Sequence, residues 1–335
     1  MKHTPFEKHG NKVLYVKIAN DFLRQIDGGS LKINDKLPSI NTLSKKLQVA
    51  RETIEKAYKL LIDEGYVLAI PGKGYFVASA GQAKLKILFV MNKISSFKKI
   101  VYYSFLDTIG GKAKIDLKIH HYDPALLSDI LDQELGNYHY YVIMPHFFTS
   151  TTLAESKKVL EKVPKDQLVL LDKQVSGFGQ SKSVYQDFKD DIFDGLSAAG
   201  KALNKYHTIT LNFPENSHHP TGIISGVKRY CKIHEKDFKM MTGALKTDLE
   251  KGTLYIFVDD DDMARFIKQV RTTKLVLGKH IGLISFNETP FKELLDISVL
   301  TTDFEKMGET SARLILEHKT DSIRNDFRFI RRNSI

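Results

Sequence analysis

The chain has a single cysteine, Cys231, so no disulfide can close within it and no CxxC pair is available for a metal or redox site. No apolar run approaches the ~18 residues that a membrane-spanning helix needs. The opening MKHTPFEKHGNK has no apolar core followed by a small-residue cleavage site. These absences point to a cytoplasmic protein without a membrane partner. Catalytic motifs are missing too. There is no GxSxG, P-loop or GxGxxG, and Gly177-Phe178-Gly179 is too short to stand for the last. The pairs His120-His121 and His218-His219 lack metal-ligand spacing. Asp259 to Asp262 are consecutive carboxylates after a strand-like run, where acidic residues complement a helix dipole. No catalytic residue, metal site or cofactor is expected, and nothing argues for an enzyme.

What is present is a chain of 335 residues, 42% hydrophobic and 27% charged, which suits two soluble globular domains. The net charge is +10, unevenly spread. Residues 1–80 hold 13 Lys/Arg against 8 Asp/Glu, whereas the longer remainder holds 37 against 32. A compact basic module suggests a polyanion such as DNA.

The first eighty residues punctuate clearly. Val13, Val16, Ile18, Ala19, Phe22, Leu23 and Ile26 fall on one broad helical face, and Gly28-Gly29 stops that helix. Ser39 follows Pro38 and can cap a second helix to about Leu47. A third helix has Ile54, Ala57, Tyr58, Leu61 and Ile62 at the spacing of a buried stripe, and ends at Gly65. Two short strand-like runs, VLAI and YFVA, follow, joined by PGKG. Helix, helix, turn, helix, hairpin is a winged helix-turn-helix, whose third helix enters the major groove. Arg51, Thr53 and Lys56 sit off the apolar stripe near that helix's start. Arg51 can reach guanine or phosphate, Thr53 phosphate or a thymine methyl, and Lys56 phosphate. Lys73, between Gly72 and Gly74 at the hairpin tip, suits the minor groove or the DNA backbone.

LPSINTLSKKLQVARETIEKAYKLLIDEGYVLAIPGKGYFV resembles the DNA-binding domain of GntR-family transcription regulators over residues 12–77. The resemblance implies DNA contacts from Ser39, Asn41, Arg51, Glu52, Thr53, Lys56, Gly72, Lys73 and Gly74. The sequence departs from the family at Asn41 and Glu55, where Arg is usual, and at Ala50, where a Ser/Thr cap is usual, so the family's common half-site does not transfer.

ASAGQA at 78–83 marks a linker, set at 79–84 between a head of 1–78 and a second domain of 85–335. Beyond it, KILFVM, YYVIMP, QLVLLD, TITLNF, LYIFVD and IGLISF alternate with helix-like stretches at 99–110, 151–162, 188–204, 221–235 and 261–272. That alternation implies an α/β domain with parallel sheets and helices on both faces, able to form two lobes. Ligands of such folds bind outside the carboxyl ends of strands.

This region resembles the LacI-type, periplasmic-binding-protein-like sensor. LVLLDKQVSG is matched to the strand closing the first lobe, the DDDD and IGLISF runs to the second lobe, and FRFIRRNS to the closing strand. Departures are Ile223, where Arg often precedes the helix holding Gly226, and Asn287 in place of Asp. A GntR-type head on such a sensor is similar to arabinose- and fucose-responsive repressors. The resemblance implies a homodimer on a pseudo-palindromic operator, with a monosaccharide effector held by Ser95, Phe97, Asp172, Asp187, His219, Asp260 and Asn287. From the residues alone, Asp172 and Asp260 serve equally as helix caps, Phe97 as core and His219 as surface. A nucleoside, amino acid or sugar phosphate as effector, and activation in place of repression, remain open alternatives.

Overall fold

The computed structural model describes residues 11–78, 85–178, 181–214, 219–243 and 249–335, with side chains from Leu14 onward. The expected linker, 79–84, lies outside the described residues, as do Gly179 and His218.

The head runs α1 (Asn11–Asp27), α2 (Ile40–Leu47), α3 (Arg51–Asp63), β1 (Val67–Ile70) and β2 (Gly74–Val77). Its core joins Ile18, Phe22 and Leu23 of α1 to Ile54, Tyr58 and Leu61 of α3. Full burial of each such side chain is worth about 1.5–3 kcal/mol. Ser39 caps α2, its hydroxyl accepting from the Thr42 N–H at 3.1 Å. Tyr58 packs edge-on against Phe22 and Tyr75, and its hydroxyl donates to the Pro38 carbonyl at 2.7 Å, tying α3 to the start of α2. Gly65, with φ +78°, turns the chain out of α3 into the antiparallel wing β1–β2. Both α1 and the end of α3 meet the next domain: the Asn20 amide donates to the Gly136 carbonyl, and Glu64, just after α3, pairs with Lys86.

Two lobes follow. The first contains β3 (Leu85–Met91), α4 (Ser96–Ile109), β4 (Ala113–Ile119), α5 (Pro124–Glu134), β5 (Tyr140–Ile143), α6 (Leu153–Leu160), β6 (Leu168–Lys173) and β7 (Lys182–Gln186). The second contains α7 (Phe188–Ala198), β8 (Thr208–Asn212), α8 (Gly222–Ile233), β9 (Asp237–Met241), β10 (Thr253–Phe257), α9 (Asp260–Arg271), β11 (Gly282–Phe286), α10 (Pro290–Leu294) and β12 (Ser298–Thr302). The chain then returns to the first lobe as α11 (Phe304–Leu316) and β13 (Ser322–Arg324), and crosses again to end the second sheet with β14 (Phe327–Ile330).

The first sheet is ordered β13-β7-β6-β5-β3-β4 and is parallel throughout. The second is ordered β14-β12-β11-β10-β8-β9, with only β14 antiparallel. LVLLD is therefore an interior strand. SVYQ belongs to strand β7, with β13 beyond it, so the sheet continues past LVLLD. The central strands are buried on both faces, as sheets covered by helices on each side require. α4 and α11 pack face to face through Val101, Phe105, Met307 and Ile315. Gly308 permits this approach, since a Cβ there would collide with the Val101 carbonyl and come within 2.9 Å of the Phe105 nitrogen.

Candidate functional site

A cavity of about 500 Å³ opens between the lobes at the carboxyl ends of both sheets. Six segments reach it from strand ends: Asn92 after β3, Tyr122 after β4, His146 after β5, Asp172 in β6, Gln186 in β7, and Val258, Asp259 and Asp260 after β10. Phe286 and Asn287 follow at β11, and Phe188, Phe304 and Phe327 sit where the chain passes between lobes.

The first-lobe wall is built around Asp172, which takes φ +76° at its strand end. Its Oδ2 accepts from Lys98 Nζ at 2.6 Å and from His146 Nε2 at 2.9 Å, and its Oδ1 accepts from the Gln186 amide. Burial disfavours the Asp172 charge, yet Lys98 and His146 prevail and hold its carboxyl well below the usual carboxylate range. His146 is pushed down by burial, against the pull of Asp172. Lys98 reaches Asp172 because it lies in the first turn of α4, whose side chains lean back toward the N-terminus. Ser95 caps that helix, its hydroxyl accepting from the Lys98 N–H at 3.3 Å. Asn92 is 2% exposed and lines the cavity, and its Oδ1 has no hydrogen-bond partner among the described residues. Leaving such an acceptor unmet costs about 1–3 kcal/mol.

The second-lobe wall rests on Lys292, whose ammonium donates to the Phe286 and Asn287 carbonyls and pairs with Asp260 at 2.7 Å. Burial pushes the Lys292 pKa down, and Asp260 opposes that shift. Asp259 caps α9, accepting from the Asp261 and Asp262 N–H groups at 2.9 and 3.1 Å. The acidic run is thus a helix N-terminus, with Asp260 turned to Lys292 and Asp262 to Arg265. An aromatic wall closes the cavity, Phe97 and Phe304 stacking at 5.0 Å with 24° between their planes.

Of the residues expected at the effector site, Ser95, Phe97, Asp172, His219, Asp260 and Asn287 line this one cavity. Asp187 does not. Its carboxylate turns away to cap α7, accepting from the Asp190 N–H at 3.2 Å, while Gln186 and Phe188 on either side line the cavity. Asp172 is no helix cap but the centre of an ionic cluster. Sequence reasoning missed Asn92, Lys98, His146, Gln186 and Lys292. His146 carried a signal, as a polar residue in the apolar run VIMPHFF directly after a strand.

In the head, Arg51, Glu52 and Lys56 are exposed along the start of α3, as are Ser39 and Asn41 at the start of α2. Gly72 (φ +73°), Lys73 and Gly74 (φ +107°) form the wing tip. Thr53 corrects the sequence reading. It is 5% exposed and belongs to the packed face, because the three-helix core grips a stripe of α3 wide enough to take 53 and 57 as well as 54, 58 and 61. Ala50 gives α3 no side-chain cap. Cys231 is packed in the second-lobe core, where burial raises its thiol to about 11. No described helix is long and apolar enough to cross a membrane.

Residues 14–77 match the family described as bacterial regulatory proteins, gntR family. The HTH-type transcriptional regulator TreR of Bacillus subtilis (strain 168) is 29% identical over 121 residues, covering 36% of this chain and 46% of that protein. The chain thus spans less than half the length of the first curated relatives it matches. Among solved structures, the trehalose repressor from Escherichia coli aligns with a TM-score of 0.58 at 16% identity, covering 74% of this chain and 100% of that one. The lac repressor dimer bound to operator and the anti-inducer ONPF aligns with a TM-score of 0.57 at 13% identity, covering 76% and 95%. The chain accordingly joins a GntR-type helix-turn-helix domain to a domain with the LacI-type, periplasmic-binding-protein-like fold.

Proposed function

We propose that this chain is a cytoplasmic, sequence-specific transcription regulator whose operator affinity is set by a small carbohydrate held between the lobes. The head is taken as 1–78, the linker as 79–84 and the effector domain as 85–335. The observation carrying the effector reading is the pairing, in one interlobe cavity, of a stacked Phe97–Phe304 wall with the fixed polar groups of Asn92, Lys98, His146 and Asp172. A sugar ring offers an apolar face to the former and hydroxyls, each both donor and acceptor, to the latter. Asn92 Oδ1 requires a donor, which a hydroxyl supplies. Lys98 with Asp172 and Lys292 with Asp260 are already paired, which leaves Lys93 and Asp259 as the lining charges outside an ion pair among the described residues and suits a ligand of little net charge. The regulator acts as a homodimer on a pseudo-palindromic site, and effector binding releases the operator by favouring closed lobes. It performs no turnover of the effector.

The test is thermal unfolding of the full chain with monosaccharides, sugar phosphates, nucleosides and amino acids. A ligand at 100 times its dissociation constant stabilises its domain by about 2.7 kcal/mol. A shift with one pentose or hexose, and loss of operator binding at the same concentration, is the expected result. A second reading is favoured by the five phenylalanines in the lining, which suit a nucleobase. A shift with nucleosides alone establishes that reading and discards the sugar. Gain of operator affinity on effector binding discards effector-relieved repression, and transcription from the operator then separates activation from co-repression.

A further inference from the structure

The exposed start of α3 is charge-paired. Arg51 Nε lies 2.9 Å from Glu55 Oε1, and Lys56 Nζ lies 2.7 Å from Glu52 Oε1. Both carboxylates are solvent-facing, Glu55 at 45% and Glu52 at 74% side-chain exposure. A helix offered to DNA in this way carries no net charge at its tip, so it adds little to sequence-independent attraction. That attraction falls to Lys45 and Lys46 of α2 and Lys73 of the wing, all exposed. A carboxylate in the major groove is repelled by phosphates unless it accepts from a base edge. Only cytosine N4 and adenine N6 donate there, and adenine sets its N7 acceptor beside N6. Cytosine is therefore the base a carboxylate tolerates best. Glu55 engages Arg51 through Nε, which leaves the two terminal nitrogens of the guanidinium free for the O6 and N7 of guanine.

We infer that Glu55 is a base-reading residue that selects cytosine within about two base steps of the guanine read by Arg51, as the ~6 Å rise over four helical residues allows. This inference rests on the DNA-binding reading of the head. The experiment is selection of bound sequences from a random duplex library by the full-length protein and by Glu55→Ala, Glu55→Gln and Arg51→Ala. Both positions are exposed, so the variants keep the wild-type melting temperature. Wild type is expected to enrich a half-site with one guanine and a nearby cytosine. Glu55→Ala should lose the cytosine preference by about 5- to 100-fold while keeping the guanine, and should bind random DNA more tightly. Glu55→Gln should move the preference from cytosine to adenine, which an amide matches through N6 and N7. An unchanged motif in Glu55→Ala overturns the inference. So does loss of only the guanine that Arg51→Ala also loses, which makes Glu55 a positioning residue for Arg51. If wild type enriches no motif, the DNA-binding reading itself falls.

Discussion

Acid should loosen the first lobe well above the usual carboxylate range, because three histidines are buried there in neutral form. His120 and His139 are 0% and 2% exposed, and burial pushes each down to about 4. His146 is displaced in the same direction by burial. His120 Nε2 lies 3.1 Å from the Met144 carbonyl, so its proton sits on Nε2, whereas His139 Nδ1 accepts from the Lys86 N–H at 2.8 Å. A second proton on His139 would remove that acceptor. Since these folded pKa values lie below the unfolded value, the unfolded chain binds more protons and stability falls as pH drops through 6.5 toward 4. At pH 5 the loss relative to pH 7.5 is about 2 kcal/mol for each of His120 and His139, or about 4 kcal/mol for the two. The second lobe carries the opposite device. Burial raises Asp191 to about 6, although Arg324 pairs with it, and a raised carboxyl gains folded-state stability as pH falls through that value. Hydrogen exchange at pH 7.5 and 5.5, corrected for the intrinsic rate, resolves the lobes. Protection should fall in β3 and β5 and hold in β10 and β11. Equal change in both lobes, or none in β3 and β5, refutes the assignment of buried neutral histidines.

The remaining predictions concern single side chains. Lys98→Met leaves Asp172 as a buried charge with only His146 and Gln186 against it, and removing one partner of such a pair costs about 3–5 kcal/mol; a melting temperature within a degree of wild type would show that the pair contributes nothing. Gly308→Ala should lower the denaturant midpoint by the equivalent of about 1–3 kcal/mol, since α4 and α11 must separate to admit the methyl group. Thr53→Val should leave operator affinity within about twofold while Arg51→Ala loses about 1–3 kcal/mol, measured by titration of the selected duplex. Lys73→Ala should weaken specific and random DNA alike and lower the salt slope by about 1.

How far the sequence could be read depended on whether a feature is made locally or by topology. The head is local. Ser39 ahead of α2, Gly65 after α3 and the glycines flanking Lys73 each act within one turn of chain, so its order of elements was legible. Thr53 was misplaced because the edge of a buried stripe is set by how the neighbouring elements pack on α3, which the spacing of α3 alone does not encode. Strand ends were legible for the same local reason as the head, and they brought Asp172, Asp260 and Asn287 into one cavity. The partners of those residues were not. Lys98 is separated from Asp172 by 74 positions, and a lysine in an amphipathic helix reads as solvated until the fold buries it. Lys292, 2% exposed at its side chain, sits in a short helix flanked by exposed Phe291 and Leu294, a pattern that inverts the usual rule of apolar inside and charged outside. That inversion has a physical cause. Strand ends gather carbonyls and carboxylates that no strand neighbour satisfies, and a cation on a long flexible stem is the side chain able to reach several of them at once. Lys292 does this for the second lobe, meeting two carbonyls and Asp260, whereas Lys98 in the first lobe meets the Asp172 carboxylate and the Met144 sulfur. Each wall of the cavity is therefore held by a lysine whose charge is already engaged, while Asn92 Oδ1, buried against the same cavity, has no hydrogen-bond partner among the described residues.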